Sequence, residues 1–324
     1  MEDVLGEPLG YVGRLAPSPT GALHLGNVRT FMIAYLRARA AGGRVIMRME
    51  DLDHPKDKKG AAEAAIEDLT WLGFDWDEEY VQSARKEIYK DALDFLVRLG
   101  RVYPCVCSRH DVEAAQSAPH AGEQLFYPGM CRGRFASWRE AADAIAPRTP
   151  CWRFRVDPPA VVSFEDAFCG VFSQDVATTL GDFPLARDEG GAGYTLAATV
   201  DDLLMGVTEV VRGDDLLAAT PAQILLAESL APYLRARYSL SRAPLRYCHV
   251  PLVVGADGRR LAKRHGDTRI SAYRAAGVTP EAIIGRLAAT CGWAKEGECL
   301  RLADLLSRFT LTTIPHAPCF LNRV

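Results

Sequence analysis

One stretch constrains this chain more than any other: Gly13-Arg14-Leu15-Ala16-Pro17-Ser18-Pro19-Thr20-Gly21-Ala22-Leu23-His24-Leu25-Gly26-Asn27. The apolar run from Tyr11 to Ala16 reads as a buried strand. Two prolines and a glycine then end it, because proline has no N–H to give to a sheet ladder. From Asn27 onward the spacing turns helical, with Phe31, Tyr35 and Leu36 on one face and Arg37 and Arg39 on another. A strand that feeds through a tight loop into a helix aims backbone N–H groups and the positive end of the helix dipole at one point. Gly26 lets a ligand approach the backbone, and His24 can donate a hydrogen bond from just before the helix. An anion is the natural guest of such a place, and a nucleotide phosphate the first to consider. A short Pro-x-Pro-x-Gly turn alone reads as a surface loop, but this run is longer and more particular.

The rest of the chain repeats the pattern. Arg44 to Glu50 suits a second strand, ended by Asp51, Asp53 and Pro55; Ala61 to Leu72 spaces apolar residues helically, and a further helix covers about Arg85 to Leu99. Strand, helix, strand, helix on this scale implies parallel β-α-β units and one half of a doubly wound sheet. From Val102 to about Asp182 the character changes to clustered cysteines and short strand-like pieces such as Trp152 to Val156, read as an insertion. The parallel pattern resumes with strands expected at Gly193 to Ala197, Val207 to Arg212 and Cys248 to Val254. A helix is expected from Pro221 to Leu230, whose proline suits the first turn. A glycine-rich basic loop follows, then helices, one of them from Pro280 to Cys291, and an irregular end from Thr310. The expected divisions are 1–101, 102–182, 183–264 and 265–324.

Composition narrows the class without naming it. At 324 residues, 48% hydrophobic and 24% charged, the chain can bury a sizeable core. Its net charge of −3 advertises no global field for nucleic acid, although a local basic face is compatible with an acidic whole. No run of about 18 apolar residues suggests a membrane span, and the acidic Met1-Glu2-Asp3 start is unlike a secretory signal. Nine cysteines at odd spacing do not read as a disulfide framework. A cytoplasmic, monomeric protein with reduced thiols is expected.

Three of those thiols suggest a metal. Cys105-Val106-Cys107 sets two side by side, and Cys131 supplies a third. Tetrahedral zinc takes four ligands, and His110 and His120 are chemically suited to the last place. Three ordinary buried cysteines are the plain alternative. A structural zinc is preferred because a loop-rich insertion has little core of its own and a metal can order it. The other six cysteines read as core or incidental thiols.

The His24-Leu25-Gly26-Asn27 piece resembles the His-Ile-Gly-His signature of class I aminoacyl-tRNA synthetases, and the whole run with Arg14 and Ser18 resembles their glutamyl and glutaminyl branch. Arg48-Met49-Glu50-Asp51-Leu52-Asp53 is similar to that branch's Arg-Ile-Glu-Asp-Thr-Asp, as is the run from Tyr194 through Asp201-Asp202 to Arg212. The loop Asp257 to Gly266 resembles the Lys-Met-Ser-Lys-Ser loop, with Arg260, Leu261, Ala262, Lys263 and Arg264 in the five places. The implied fold is α/β: a Rossmann-like doubly wound parallel sheet with a zinc-binding α+β insertion and a helical C-terminal region.

The resemblance also implies roles. Glutamate would sit among Arg14, Leu15, Ala16, Pro17, Ser18, Glu50, Tyr194 and Arg212, with Glu50 on its α-ammonium, the arginines on its two carboxylates and the Tyr194 hydroxyl helping to read the side chain. Which arginine takes which carboxylate is left open. Ala198 stands where related enzymes often carry asparagine, so one polar contact is missing or replaced. ATP, accompanied by Mg²⁺, would lie over His24, Gly26 and Asn27. Lys263 would stabilise charge as pyrophosphate leaves, with His24 and Lys263 the catalytic pair. Tyr127 becomes the fourth zinc ligand by resemblance, beside Cys105, Cys107 and Cys131.

Roughly 30 residues follow Trp293, few for the anticodon-binding region of full glutamyl-tRNA synthetases. This build is similar to the family of glutamyl-queuosine tRNA(Asp) synthetases. That similarity implies tRNA-independent activation of glutamate and transfer to queuosine at the wobble position of tRNA(Asp). A compact glutamyl-tRNA synthetase and a catalytically silent tRNA-binding paralogue are the alternatives.

Overall fold

A computed structural model describes residues 10–19, 21–52, 60–114, 125–238, 245–255 and 268–320. It opens with β1 (Val12–Leu15), α1 (Leu25–Ala40), β2 (Arg44–Met49), α2 (Ala61–Trp71) and β3 (Glu78–Val81). The three strands are parallel in the order β1-β2-β3, with Val12 opposite Arg44 and Ile46 opposite Glu78. All four residues of β1 are buried, as are five of the six in β2, which suits parallel strands covered on both faces. After α3 (Lys86–Arg98) come β4 (Val102–Cys105), α4 (Arg109–Ala114), α5 (Trp138–Asp143), β5 (Cys151–Phe154), β6 (Val161–Asp166), β7 (Gly170–Asp175), α6 (Val176–Thr179) and β8 (Phe183–Ala186). The chain then runs through α7 (Tyr194–Leu204), β9 (Glu209–Gly213), α8 (Thr220–Tyr238), β10 (Arg246–Val250), β11 (Val253–Val254), α9 (Ile270–Ala275), α10 (Pro280–Ala289) and β12 (Cys319–Phe320).

Strand β10 pairs in parallel with β9 on one side and with the end of β6 on the other. Thr208, just before β9, joins β1 directly: its N–H donates to the Val12 carbonyl at 3.0 Å and its hydroxyl accepts from the Val12 N–H at 3.0 Å. Strand β1 therefore lies between β2 and β9, where the winding of a doubly wound sheet reverses. Ligands of such sheets bind at the carboxyl ends of the strands beside that point.

The segment 102–182 is more tightly woven into the sheet than an insertion need be. Antiparallel β4 and β5 take β8, beyond residue 182, as their third strand, while β6 pairs with β10. Two local expectations are corrected. Residues Tyr194–Ala197 are not a strand but the first turn of α7, because Leu196, Ala197, Val200 and Leu203, at helical spacing, pack into one apolar cluster. A short apolar run does not by itself distinguish helix from strand. The expected strand Cys248 to Val254 is two strands, broken at Pro251, which has no N–H for the ladder. Helix α8 also outruns its expected end, continuing through Pro232 because Leu226, Leu230 and Leu234 bury the face on either side of it.

Helix α1 is the packing hub. Val28, Met32, Ile33 and Leu36 are completely buried, in one cluster with Ile284 and Leu287 of α10. Each such side chain contributes about 1.5–3 kcal/mol by leaving water, so the helix whose N-terminus faces the pocket is firmly held by the core. Among the described residues, no helix is long and apolar enough to cross a membrane.

Candidate active site

A cavity of about 540 Å³ opens at the carboxyl ends of β1 and β9 and at the N-terminus of α1. The phosphate-type end is built from the loop that leads into α1. His24 is the N-cap: its Nδ1 accepts from the Asn27 N–H at 3.4 Å, and the Asn27 side-chain oxygen accepts from the His24 N–H at 3.3 Å. This reciprocal pair orients the imidazole. The first turn of α1 carries no acidic residue, so no carboxylate competes with an incoming anion for the dipole. A Cβ on Gly26 would stand 3.2 Å from the His24 ring and 3.5 Å from Val253, so only glycine fits without moving the capping histidine. The segment beyond the basic loop closes against the same turn: Leu25 donates to the Thr268 carbonyl at 3.1 Å and Ile270 to that of Leu23 at 2.9 Å.

The opposite end is a buried lattice of charge. Arg14 donates through Nη1 to the Val211 carbonyl at 2.8 Å, and its Nε lies 3.5 Å from Asp202. Arg48, fully buried, donates to Asp202 at 2.6 Å and to Glu50 at 3.1 Å. Glu50 is also fixed by its backbone, whose N–H donates to the Pro17 carbonyl at 2.9 Å, tying β2 to the proline loop. Burial raises the pKa of Glu50 and outweighs the lowering by Arg48 and Arg14; burial likewise lowers that of Arg14. Both groups are therefore short of counter-charge, which a ligand of opposite sign supplies.

Arg212, at the third corner, belongs to a separate polar cluster. It donates through Nε to His249 Nε2 at 3.0 Å, through Nη2 to the Thr220 hydroxyl at 2.8 Å and through Nη1 to the Tyr194 hydroxyl at 3.4 Å. Two arginines, Arg14 and Arg212, and the carboxylate of Glu50 line the cavity together with Asp215, while Arg48 is taken up by Asp202 behind it. Such a pocket suits a small ligand with two negative groups and one positive group.

The cysteines assemble away from this cavity. Cys105, Cys107 and Cys131 place their sulfurs within 4.8 Å of one another, the one group of three metal-ligating side chains among the described residues. The Tyr127 hydroxyl, buried, lies 3.1 Å from Cys105 Sγ and 3.6 Å from Cys107 Sγ, and accepts from the Cys131 N–H at 3.0 Å. Arg153 donates to Cys105 Sγ at 3.2 Å and lies over the Tyr127 ring at 3.8 Å, a cation beside gathering thiolate charge. Three soft sulfurs and one oxygen converging in a buried place fit a closed tetrahedral zinc site. His110 is exposed on α4 and outside the cluster, and His120 lies outside the described residues.

The model of class I tRNA synthetases (E and Q), catalytic domain, matches residues 11–323. The chain belongs to this family. A glutamyl-Q tRNA(Asp) synthetase of Symbiobacterium thermophilum is 45% identical over 317 residues, which cover 94% of each chain. One of Rhodopirellula baltica is 46% identical over 294 residues, covering 87% of this chain and 85% of its own. The crystal structure of a glutamate tRNA ligase from Elizabethkingia meningosepticum in complex with its amino acid superposes with a TM-score of 0.77 at 26% identity, over 96% of this chain and 67% of that one.

In this synthetase fold the residues singled out in the sequence meet in one place. Arg14, Ala16, Pro17, Ser18, Glu50, Tyr194 and Arg212 line one cavity with His24, Gly26 and Asn27. Leu15 does not: it is fully buried in the core, because neighbouring residues of a strand point to opposite faces and Arg14 takes the pocket side. Lys263 lies outside the described residues, although Val253 on one flank of its loop lines the cavity. Cys151, counted with the incidental thiols, stands opposite Cys105 in the β4–β5 ladder and packs on the cysteine cluster. Sequence reasoning gave no role to Arg48, Thr220, Asp166 or His249. Arg48 stands in the run before Glu50, but no local signal marks the other three: Asp166 and His249 depend on the pairing of β6, β9 and β10, and Thr220 on where α8 begins.

Proposed function

We propose that this chain activates L-glutamate with ATP, without needing tRNA, and transfers the glutamyl group to queuosine at the wobble position of tRNA(Asp). The observation that carries the reading is the placing of Arg14 and Arg212 around one cavity with the buried carboxylate of Glu50, next to an acid-free helix N-terminus. Glutamate's two carboxylates and one ammonium match that charge pattern, and the helix end suits a triphosphate. The relatives named for this activity, aligned over 94% of both chains in the Symbiobacterium case, support the choice of acceptor.

Glu50 would hold the α-ammonium, leaving the α-carboxylate to attack the α-phosphorus of ATP. The P–O bond to pyrophosphate breaks as the acyl–phosphate bond forms. His24 and Lys263 would stabilise charge on the phosphates, so that the work is positioning and electrostatics rather than covalent catalysis. Mg²⁺ on the triphosphate would supply further charge neutralisation. The acceptor hydroxyl then attacks the activated carbonyl and AMP leaves. The Cys105, Cys107, Tyr127 and Cys131 set would hold a structural zinc that orders the segment 102–182, which we place against the anticodon stem-loop by family analogy.

The test compares tRNA(Asp) with and without queuosine as acceptor, alongside glutamate-dependent ATP–pyrophosphate exchange in the absence of tRNA. Exchange without tRNA and labelling of only the queuosine-bearing tRNA are expected. Charging of both tRNAs at the 3′ end points to a compact glutamyl-tRNA synthetase instead, and the absence of exchange to a silent binding module; either overturns the proposal.

A further inference from the structure

Arg212 is held from behind by a buried cluster that spans three strands. His249, fully buried on β10, is the register partner of Arg212 on β9. Its Nδ1 lies 2.6 Å from Asp166, the last residue of β6. That carboxylate also accepts from the backbone N–H groups of Cys169 at 2.8 Å, Phe168 at 3.0 Å and His249 at 3.1 Å. Burial pushes its pKa up, but the His249 hydrogen bond and the three backbone donors outweigh it and draw the value down to about 2. Asp166 is thus ionised and acceptor-only, which requires the hydrogen of His249 to sit on Nδ1. Nε2 is then a bare lone pair facing Arg212 Nε at 3.0 Å. The opposite tautomer would set two N–H donors against each other in a buried site. Thr220 fits the same arrangement: it accepts from Arg212 Nη2 at 2.8 Å, and its own hydrogen has two acceptors in reach, the Leu216 carbonyl at 3.1 Å and the bare His249 Nε2 at 3.0 Å.

A guanidinium has five N–H groups. In Arg212, the one on Nε goes to His249, one on Nη2 to Thr220 and one on Nη1 to Tyr194. Among the described residues this leaves one N–H on each terminal nitrogen, and a parallel pair from the two terminal nitrogens is the fork that grips a carboxylate in bidentate fashion. We infer that Asp166 and His249 are a positioning pair: by fixing the imidazole tautomer they lock the Arg212 guanidinium in the one rotation that presents this fork to the substrate carboxylate. The pair moves no proton. It sets the affinity for the amino acid and leaves the ATP end alone. This inference rests on the glutamate reading above and names the residues that tune it.

The experiment has a kinetic and a spectroscopic arm. In H249N the amide can reproduce the Nδ1 donor to Asp166 but stops short of Arg212, whereas in H249Q the longer amide reaches the Nε2 position and can accept from Arg212. D166N offers an amide N–H to Nδ1 and so favours the wrong tautomer, as the equivalent change does in serine-protease triads. In pyrophosphate exchange, H249N and D166N are expected to raise the KM for glutamate about tenfold or more, with H249Q recovering most of that loss and the KM for ATP staying within about twofold throughout. The ¹⁵N spectrum of His249 in the full-length protein is expected to show hydrogen on Nδ1 and a bare Nε2, inverted in D166N. A hydrogen on Nε2 in the parent protein overturns the inference, whatever the variants do. So does a KM for glutamate that is unchanged, or that rises only in step with the KM for ATP. A parent protein without glutamate-dependent exchange refutes the proposed function instead, and the spectrum still reads the tautomer.

Discussion

Replacing Glu50 by Gln isolates one charge with almost no change of shape. Its Oε1 accepts from Arg48 at 3.1 Å, a bond that the glutamine oxygen can keep, and Arg48 retains its 2.6 Å bond to Asp202. What disappears is the negative charge offered to the substrate ammonium. A hydrogen bond to a charged group contributes about 1.5–3 kcal/mol, which corresponds to a rise in the KM for glutamate of roughly ten- to a hundredfold. The fold need not suffer, because burial already disfavours the ionised carboxylate and raises its pKa. The melting temperature of E50Q should therefore stay within about 2 °C of the parent, or rise. The same raised pKa sets the sign of a pH effect. Below it the carboxyl is protonated and has no charge for the ammonium, so the KM for glutamate should climb as pH falls through a value above the ordinary carboxylate range. Binding there releases a proton, since the ammonium favours the ionised form. In E50Q that limb should be flat. Steady-state pyrophosphate exchange across pH, with glutamate and ATP varied in turn, reads all of this. An unchanged KM for glutamate, or equal rises for both substrates with a large drop in melting temperature, refutes the assignment.

Lys263→Ala should reduce pyrophosphate exchange by about 100-fold or more while glutamate still binds, as calorimetry with glutamate alone can check; near-normal exchange removes Lys263 from the reaction. Gly26→Ala brings a Cβ to 3.2 Å from the His24 ring, so the KM for ATP should rise several-fold more than that for glutamate in the same exchange assay. Cys131→Ser keeps the size of a buried residue but removes a sulfur from the cluster. It should lower zinc content measured by elemental analysis and the melting temperature with it, and a parent protein purified without zinc sinks the metal reading.

The first helix and its loop were legible because every cue agreed: prolines that stop a strand, a glycine at the close approach, and apolar residues at helical spacing. The same holds for α2 and α3 and for the sulfurs of Cys105, Cys107 and Cys131, whose chemistry shows in residue type alone. Tyr194 to Ala197 misled because so short a run fits either period, and only the packing of Leu196, Val200 and Leu203 into one apolar cluster decides for a helix. The break at Pro251 was written in the sequence but lost within a longer apolar run.

The sequence by itself determined which chemical groups the pocket would hold: an anion-binding helix start, two arginines and a carboxylate, each carried by a local run with its own signal. Tertiary structure alone decided how those groups are aimed. Asp166 and His249 are separated by 83 positions, and Arg14 meets the Val211 carbonyl across 197. Such meetings follow from strand order and register, not from anything within a few residues, so no local pattern announces them. A side chain's identity is a property of the chain. Its orientation belongs to the packed neighbours that take up its other hydrogen bonds.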